Sequence, residues 1–226
     1  VQDIDEITDH LKNEVNKIHN RLQNSDNYSA SVTLKQTLDA LDQRQAGKKP
    51  GLLTPISLLT NYTGGWQPSD LIIIAARPSI GKTVFALACV AKALEAQAAV
   101  IFFSLEMSRE KIMDRLLIGR SGVDALRYRT GKLTDEEILR INSAAGYFGS
   151  QKLWICDSGN LGLSDVEAFC LAKKKENSCD LVVVDYLQLM KTRIQKNRTR
   201  DGDLAELSRG LKLLAKNLDV PVIVLS

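Results

Sequence analysis

One stretch constrains the fold of this chain more than any other, residues 71–86, which reads LIIIAARPSIGKTVFA. It opens with five apolar residues, Leu71 to Ala75, and such an unbroken run predicts a strand buried on both faces of a parallel sheet. A turn follows, and GKT then leads into an apolar-rich segment over residues 84–98 with few helix breakers. A strand, a tight loop and a helix that opens on GKT together predict a phosphate-binding loop.

Each residue type in this loop has a physical role. The N-terminus of a helix offers unpaired N–H groups and a partial positive charge to a polyphosphate. We expect Lys82 to reach the β- and γ-phosphates, Thr83 to bind Mg²⁺, and Gly81 to let the backbone approach without a Cβ in the way. Because Ala76 replaces the first glycine of the pattern GxxxxGK[ST], a GKT that merely opens an ordinary helix is the alternative. The predicted nucleotide-binding residues are Ala76, Arg77, Pro78, Ser79, Ile80, Gly81, Lys82 and Thr83.

The composition sets bounds on the class of protein. A chain of 226 residues with 44% apolar and 25% charged residues has an ordinary globular composition and suits one domain plus extra elements. Its net charge is only +3, so affinity for nucleic acid would have to come from a local cluster of basic residues. No apolar run approaches the roughly 20 residues of a membrane span, and no signal peptide opens the chain, so we expect no membrane association.

The four cysteines show no CxxC spacing, and three of them lie in apolar runs. This pattern favours buried, reduced thiols over disulfides or a zinc site and fits a reducing, cytoplasmic location. The two histidines, His10 and His19, are too isolated to form a metal centre.

The chain before the loop predicts helices. Apolar residues spaced by three and four over residues 3–22 form one helical stripe, which packs either on its own domain or on a partner. A second helix near Thr33 to Gln45 carries Leu34, Leu38 and Leu41 on one side, and the GKKPG segment ends it. We therefore divide the chain into a helical segment (1–31), a linker helix with its hinge (32–51) and an α/β domain (52–226).

Short apolar runs alternate with helical patterns in the last of these regions. The runs at residues 99–104, 153–156, 181–184 and 220–225 predict strands, so the expected fold is α/β with a mostly parallel central sheet flanked by helices. Ser108 is a predicted N-cap, and Thr134 with Glu137 and Ser164 with Glu167 are predicted capping boxes.

Two acidic residues follow predicted strands, where ligands bind in sheets of this kind. Asp185 follows LVVV, as expected of a Walker B carboxylate that holds Mg²⁺ or its water shell; a cap or turn residue is the alternative. Glu106 follows AVIFFSL and could activate an attacking water, although a glutamate before a helix also commonly interacts with the helix dipole.

One cluster of basic residues lies between the Walker B strand and the next helix. We expect this segment to be an exposed loop that neutralises DNA phosphates without sequence specificity, with a plain solvated loop as the alternative. Its basic residues are Lys191, Arg193, Lys196, Arg198 and Arg200.

Five segments in order resemble the motifs of the DnaB-type replicative helicases over roughly Thr54 to Ser226: AARPSIGKT, FFSLEMSREKIMDRL, RTGKLTDEE, VVVDYLQLM and LSRGLKLLAKNLDVPVIVLS. The resemblance implies a RecA-like P-loop ATPase that assembles into a hexamer and unwinds DNA at the replication fork. That family tolerates alanine at the first position of the loop, which supports the assignment around Ala76.

The resemblance also implies roles for particular residues. Lys82 and Thr83 would contact ATP and Mg²⁺, Glu106 would be the catalytic glutamate, and Asp185 the Walker B aspartate. The linker helix would dock on a neighbouring subunit through Leu34, Leu38 and Leu41, which otherwise fold back on their own domain. The implied partners are single-stranded and forked DNA, further copies of the chain in a homohexamer, a primase and a helicase loader.

Some parts of that family's machinery lie beyond this sequence. In that family a glutamine that senses nucleotide or DNA, further strands, a second DNA loop and an arginine finger follow the last strand. We therefore expect a fragment that binds nucleotide and hydrolyses it poorly. A RecA-like recombinase or a nucleotide-regulated loader is the alternative function. The sequence motifs SLEM and DYLQLM favour the helicase over these alternatives.

Overall fold

A computed structural model describes residues 29–47, 51–77, 79–159, 161–185 and 200–226. The contacts within the chain divide it into two compact units, Val1–Lys49 and Pro50–Ser226. The apolar stripe predicted over residues 3–22 lies outside the described residues.

The described part of the first unit is one helix, α1, which spans Ala30–Gln45. Ser29 caps it, since the Ser29 hydroxyl accepts a hydrogen bond from the Val32 amide at 3.3 Å. The predicted helix is confirmed and begins three residues earlier than expected. None of its residues is buried, and three leucines on one side are 60%, 51% and 46% exposed: Leu34, Leu38 and Leu41.

The second unit contains a five-stranded sheet in the order β1-β5-β4-β2-β3, and every pair of neighbouring strands is parallel. This confirms the predicted parallel α/β sheet. The strands are β1 (Leu71–Ile74), β2 (Val100–Ser104), β3 (Leu153–Cys156), β4 (Leu181–Asp185) and β5 (Val222–Leu225). The helices are α2 (Ser57–Thr63), α3 (Lys82–Glu95), α4 (Arg109–Ser121), α5 (Ala125–Thr130), α6 (Asp135–Gly149), α7 (Leu163–Lys175) and α8 (Arg200–Leu218).

Helices cover both faces of the sheet because successive side chains of a strand point to opposite sides. Val100 and Phe102 on one face pack with residues of α3, α4 and α6. Ile101 and Phe103 on the other face pack with residues of α7 and α8. The three central strands, β5, β4 and β2, are buried along their whole length, so the sheet is a rigid base for the loops at its carboxyl edge.

The expectation that β1 is buried on both faces is wrong. Among the described strands β1 pairs only with β5, and Ile73 is 53% exposed. Ile72 and Ile74 pack on one core cluster and Leu71 on the other. An unbroken apolar run therefore failed to distinguish this edge strand from a central one, because most of its apolar positions still pack on the core.

The helix caps are partly as predicted. Thr134 and Glu137 form a capping box at the start of α6: the Glu137 carboxylate accepts from the Thr134 amide at 2.8 Å, and the Thr134 hydroxyl accepts from the Glu137 amide. The box predicted for Ser164 and Glu167 is wrong. Helix α7 begins at Leu163, since the Asp165 carboxylate accepts from the Gly162 amide at 2.8 Å and starts the helix earlier.

A short antiparallel bridge joins Leu52 to Trp66 near the start of the second unit. The Leu52 amide donates to the Trp66 carbonyl at 3.0 Å, and the Trp66 amide donates to the Leu52 carbonyl at 2.7 Å. A Cβ at Gly65 would overlap the Leu52 carbonyl oxygen, and Gly65 has a φ of +92°. Glycine is thus required at this position both by backbone conformation and by the close approach.

All four cysteines are free thiols, and three of them are buried, as predicted. Burial raises the pKa of the Cys89 thiol to about 12, which leaves it protonated and unreactive near neutral pH. Among the described residues, no group of three His, Cys, Asp or Glu side chains could hold a metal ion. The described helices are all too short or too polar to cross a membrane.

Candidate nucleotide site

The segment between β1 and α3 forms a tight loop with two residues in the left-handed backbone region. Ser79 has a φ of +66° and Gly81 a φ of +104°. The Ile80 amide donates to the Arg77 carbonyl at 3.4 Å, which closes a turn before the helix. A Cβ at Gly81 would meet no atom within 4 Å, so within this chain glycine is favoured there by its φ rather than by lack of space. Helix α3 begins at Lys82, immediately after this turn.

Both ends of the loop meet the carboxyl end of β5. The Ala76 amide donates to the Ser226 carbonyl at 3.3 Å. The Lys82 ammonium group donates to the same carbonyl at 2.8 Å. This bond joins Lys82 to the end of β5, and Lys82 is also the first residue of α3, whose first-turn amides have no carbonyl partner within the helix. The loop concentrates positive charge and N–H donors where a phosphate chain would bind.

Thr83 and Asp185 come together at the next strand end. The Thr83 hydroxyl donates to Oδ2 of Asp185 at 2.9 Å, and Asp185 is only 2% exposed. Burial raises the pKa of the Asp185 carboxyl, and the negative charge of Glu106 raises it further. The bond from Thr83 and the positive charges of Lys82 and Arg115 oppose that shift. A hydroxyl and a carboxylate at this distance offer the hard oxygen ligands that Mg²⁺ prefers.

Glu106 is exposed in the short connection between β2 and α4. The Leu105 amide donates to the Asp185 carbonyl at 2.7 Å, so this connection is attached to the end of β4. The Ser104 hydroxyl donates to the Met107 carbonyl at 2.6 Å and bridges the residues on either side of Glu106. The charge of Glu106 raises the pKa of the Asp185 carboxyl, and the two residues lie at the carboxyl ends of the neighbouring strands β2 and β4.

The structure thus brings four predicted site residues to the carboxyl edge of the sheet. Lys82 and Thr83 follow β1, Glu106 follows β2, and Asp185 ends β4. Of the other residues predicted to bind nucleotide, Arg77 and Ile80 lie exposed in the loop, and Pro78 lies outside the described residues.

Sequence reasoning missed three residues near this edge, Ser104, Arg115 and Asp157. Asp157 follows β3, and its carboxylate accepts a hydrogen bond from the Arg109 amide at 3.0 Å. The rule that selected Glu106 and Asp185, an acidic residue after an apolar run, would also have selected Asp157. No sequence signal distinguished Arg115 from the other charged residues of α4.

The predicted DNA-binding loop is mostly outside the described residues, which do not include Lys191, Arg193, Lys196 and Arg198. Arg200 was expected in that loop and instead is the first residue of α8. Helix α8 thus begins four residues before Leu204, although two of those residues are Asp and one is Gly, which are weak helix formers.

Comparisons with known proteins agree with this architecture. Residues 51–226 match the model of the DnaB-like helicase C terminal domain. The chain is 35% identical over 227 residues to the replicative DNA helicase DnaB of Geobacillus stearothermophilus and 40% identical over 237 residues to that of Haemophilus influenzae. These alignments cover 99% and 100% of the chain but 50% of each relative, so the chain spans about half the length of the curated relatives it matches.

Two solved structures are similar to the chain. The first is described as an ATPase domain; it superposes with a TM-score of 0.82 at 27% identity and covers 88% of this chain and 71% of that one. A DnaB-like replicative helicase, described together with its interactions with primase, gives a TM-score of 0.77 at 28% identity, with 87% and 47% covered. The fold is therefore that of the RecA-like ATPase domain of the DnaB-like helicases, and the chain belongs to the DnaB-like helicase C-terminal domain family.

Proposed function

We propose that this chain is the ATP-hydrolysing part of a replicative DNA helicase, a ring-forming motor that translocates on single-stranded DNA and unwinds the duplex at the fork. One observation carries the proposal, namely that Lys82, Thr83, Glu106 and Asp185 converge at the carboxyl edge of one parallel sheet. The names of the curated relatives support the same activity.

In this proposal the loop over residues 76–83 binds the phosphates of ATP. The backbone amides at the start of α3 would donate hydrogen bonds to the phosphates. The Lys82 ammonium group would leave its bond to the Ser226 carbonyl and contact the phosphates instead. Thr83 and Asp185 would hold Mg²⁺ through their oxygen atoms, and the ion supplies positive charge that offsets the charge of the phosphates. The 2.9 Å approach of these two oxygens fits that role.

Glu106 is the proposed general base. Its carboxylate is exposed, whereas that of Asp185 is buried, so Glu106 is better placed to accept a proton from a water molecule. Burial raises the pKa of Asp185, and the nearby cations Lys82 and Arg115 counteract that effect. The two carboxylates therefore occupy different environments, which suits a division between proton acceptor and metal ligand.

DNA binding is assigned to the basic segment that precedes and begins α8. The five cations of that segment fall within ten residues, and they follow the strand that ends in Asp185. Contacts from lysine and arginine to phosphates would give binding that weakens steeply with salt and does not depend on sequence. The proposed contacts are Lys191, Arg193, Lys196, Arg198 and Arg200.

Assembly is assigned to α1. Leu34, Leu38 and Leu41 are about half exposed on one side of that helix, and exposed leucines at this spacing suit a groove on another protein. We propose that they dock on the adjacent copy in a homohexamer, with residues 1–31 as the end of a preceding domain, 32–51 as linker and 52–226 as the ATPase domain. Head-to-tail contacts of this kind close into rings or run on as helical filaments.

A primase and a helicase loader are the proposed further partners, and the cytoplasm is the proposed location. The support for primase is the solved relative that is described with its interactions with primase. All three assignments depend on the helicase function being correct.

The test is strand displacement by the full-length protein that contains this chain, on a forked duplex carrying one labelled strand. We expect release of that strand with ATP, no release without ATP, and no release by Lys82→Ala. Electron microscopy of the same mixture should show closed rings. Filaments that exchange strands would instead identify a recombinase, and binding of the fork without ATP-dependent displacement would identify a loader; either result would contradict the proposal.

A further inference from the structure

The first amide of helix α4 is capped by Asp157, which follows strand β3, and not by the helix's own N-cap residue. Ser108 has the extended backbone of an N-cap, with φ −67° and ψ 154°, but its side chain makes no capping hydrogen bond. The acceptor for the Arg109 amide is Oδ2 of Asp157, 48 residues away, at 3.0 Å. The same oxygen lies 3.8 Å from the Arg109 Nε.

The capped residue is three positions after Glu106. We propose that Asp157 is a positioning residue that fixes the connection carrying Glu106, and this inference rests on the function proposed above for Glu106. Asp157 would not contact the nucleotide. It would act by holding the first residue of α4 against the end of β3.

The strand order supports this role. Strand β2 lies between β4 and β3, and the connection that leaves β2 is bonded to both of these neighbours. On the β4 side the Leu105 amide donates to the Asp185 carbonyl at 2.7 Å. On the β3 side Asp157 accepts from the Arg109 amide. Glu106 therefore sits between two attachments, one to each flanking strand.

The register explains why Asp157 can reach α4. Phe103 of β2 pairs with Cys156 of β3, so the next residues, Ser104 and Asp157, lie side by side where the strands end. The Asp157 side chain is 25% exposed, and its charge favours both the helix N-terminus and the Arg109 guanidinium. The Ser104 hydroxyl bonds to Met107 at 2.6 Å and stiffens the same connection from within.

The experiment compares Asp157→Ala with Asp157→Asn. Asn caps helices about as well as Asp, so Asp157→Asn should keep kcat within about threefold. Asp157→Ala should lower kcat for ATP about 10- to 100-fold, because a displacement of about 1 Å at a catalytic group costs up to about 10²-fold. The Kd for ATP should stay within about twofold in both, since the phosphate loop is on other elements.

Asp165→Ala is the matched control. Asp165 also accepts an amide hydrogen bond at the start of a 13-residue helix, but that helix, α7, does not follow the connection that contains Glu106. We expect Asp165→Ala to destabilise the fold to a similar extent and to leave kcat unchanged. An equal loss of kcat in both variants would show a general effect of lost capping and would overturn the inference.

A double-mutant cycle tests whether Asp157 acts through Glu106. In a Glu106→Gln background, Asp157→Ala should lower the residual hydrolysis less than about twofold, because there is no base left to position. A further loss of about 10-fold or more in that background would show an independent role and contradict the proposal.

Amide hydrogen exchange gives a readout without catalysis. The Arg109 amide should exchange about fivefold or more faster in Asp157→Ala than in the unmodified chain, and at an unchanged rate in Asp165→Ala. If the full-length protein that contains this chain does not hydrolyse ATP, the proposed function fails, whereas the exchange measurement still decides the role of Asp157. Unchanged exchange at Arg109 would overturn that role.

Discussion

Thr83 and Asp185 are 102 residues apart in the chain, and the Thr83 hydroxyl donates a 2.9 Å hydrogen bond to the Asp185 carboxylate. Thr83 is in the first turn of α3 and Asp185 is the last residue of β4, so the bond connects the phosphate loop to the centre of the sheet. The bond shows that the proposed ligands of Mg²⁺ are already in contact in this conformation of the chain.

Replacing Lys82 by alanine tests the phosphate loop. The ammonium group would contact the β- and γ-phosphates, and charge-assisted hydrogen bonds of this type contribute about 1.5–3 kcal/mol. The affinity for ATP should therefore fall about tenfold or more, measured by calorimetry. Lys92→Ala is the control, since Lys92 is on the same helix in a surface ion pair with Glu95. Equal affinities of all three proteins would rule out the loop as the nucleotide site.

Replacing Glu106 by glutamine tests the proposed general base. The amide keeps the shape of the side chain but cannot accept a proton, so ATP should bind normally and kcat should fall about 10²–10⁴-fold. Glu110→Gln is the matched control, because Glu110 is an exposed glutamate in the first turn of the following helix. Rapid-quench measurement of phosphate release checks both variants, and near-normal turnover by Glu106→Gln would assign Glu106 a structural role.

Replacing Asp185 by asparagine should separate stability from function. Burial raises the pKa of Asp185 above its ordinary value of 3.8, so the folded chain favours the protonated carboxyl. That stabilisation is fully present below pH 3.8 and is lost as the pH rises through the raised pKa of the folded state. At neutral pH the ionised, buried carboxylate therefore lowers the free energy of unfolding. The variant removes this loss and keeps an oxygen that can accept the bond from Thr83.

We expect the nucleotide-free Asp185→Asn variant to have a higher free energy of unfolding than the unmodified chain at neutral pH. The difference should shrink as the pH is lowered toward 3.8. With Mg²⁺ and ATP the order should reverse, because the variant has lost a metal ligand. Urea titrations at several pH values check this expectation, and a less stable nucleotide-free variant at neutral pH would contradict it.

Replacing Leu34, Leu38 and Leu41 together by serine tests the subunit contact of α1. Burial of each leucine contributes about 1.5–3 kcal/mol, so the triple variant should sediment as smaller species where the unmodified chain forms rings. The control replaces three residues of the opposite side of the helix by serine, Gln36, Ala40 and Gln43. Rings retained by the leucine variant, or lost equally in the control, would show that this apolar side is not the contact.

Much of the fold followed from local patterns in the sequence. Unbroken apolar runs located β2 and β4 because these strands are short and are buried along their whole length between two layers of helices. The GKT sequence and the acidic residue after LVVV identified Lys82, Thr83 and Asp185, since those residue types at those positions have few other uses. The capping box of Thr134 and Glu137 could be predicted because both of its hydrogen bonds join residues only three positions apart in the chain.

The rest depended on contacts between distant residues. The edge position of β1 results from the strand order, which hydrophobicity does not encode. Asp157 was missed because its partner, the Arg109 amide, is on another element. The capping box predicted for Ser164 and Glu167 was wrong because the Asp165 carboxylate accepts from the Gly162 amide, and the helix begins at Leu163. The sequence alone contains both possible helix starts.

The bridge between Leu52 and Trp66 has a mechanical consequence if the chain is part of a ring-forming motor, as proposed. Its two hydrogen bonds, at 3.0 and 2.7 Å, fasten the chain directly after the division between the two units and shortly before β1 begins. A force on the linker would therefore act on the hydrogen-bonded segment just before β1, the strand that leads into the phosphate loop. In the proposed ring, tension on the linker would then reach the phosphate loop through the short backbone segment from 66 to 71.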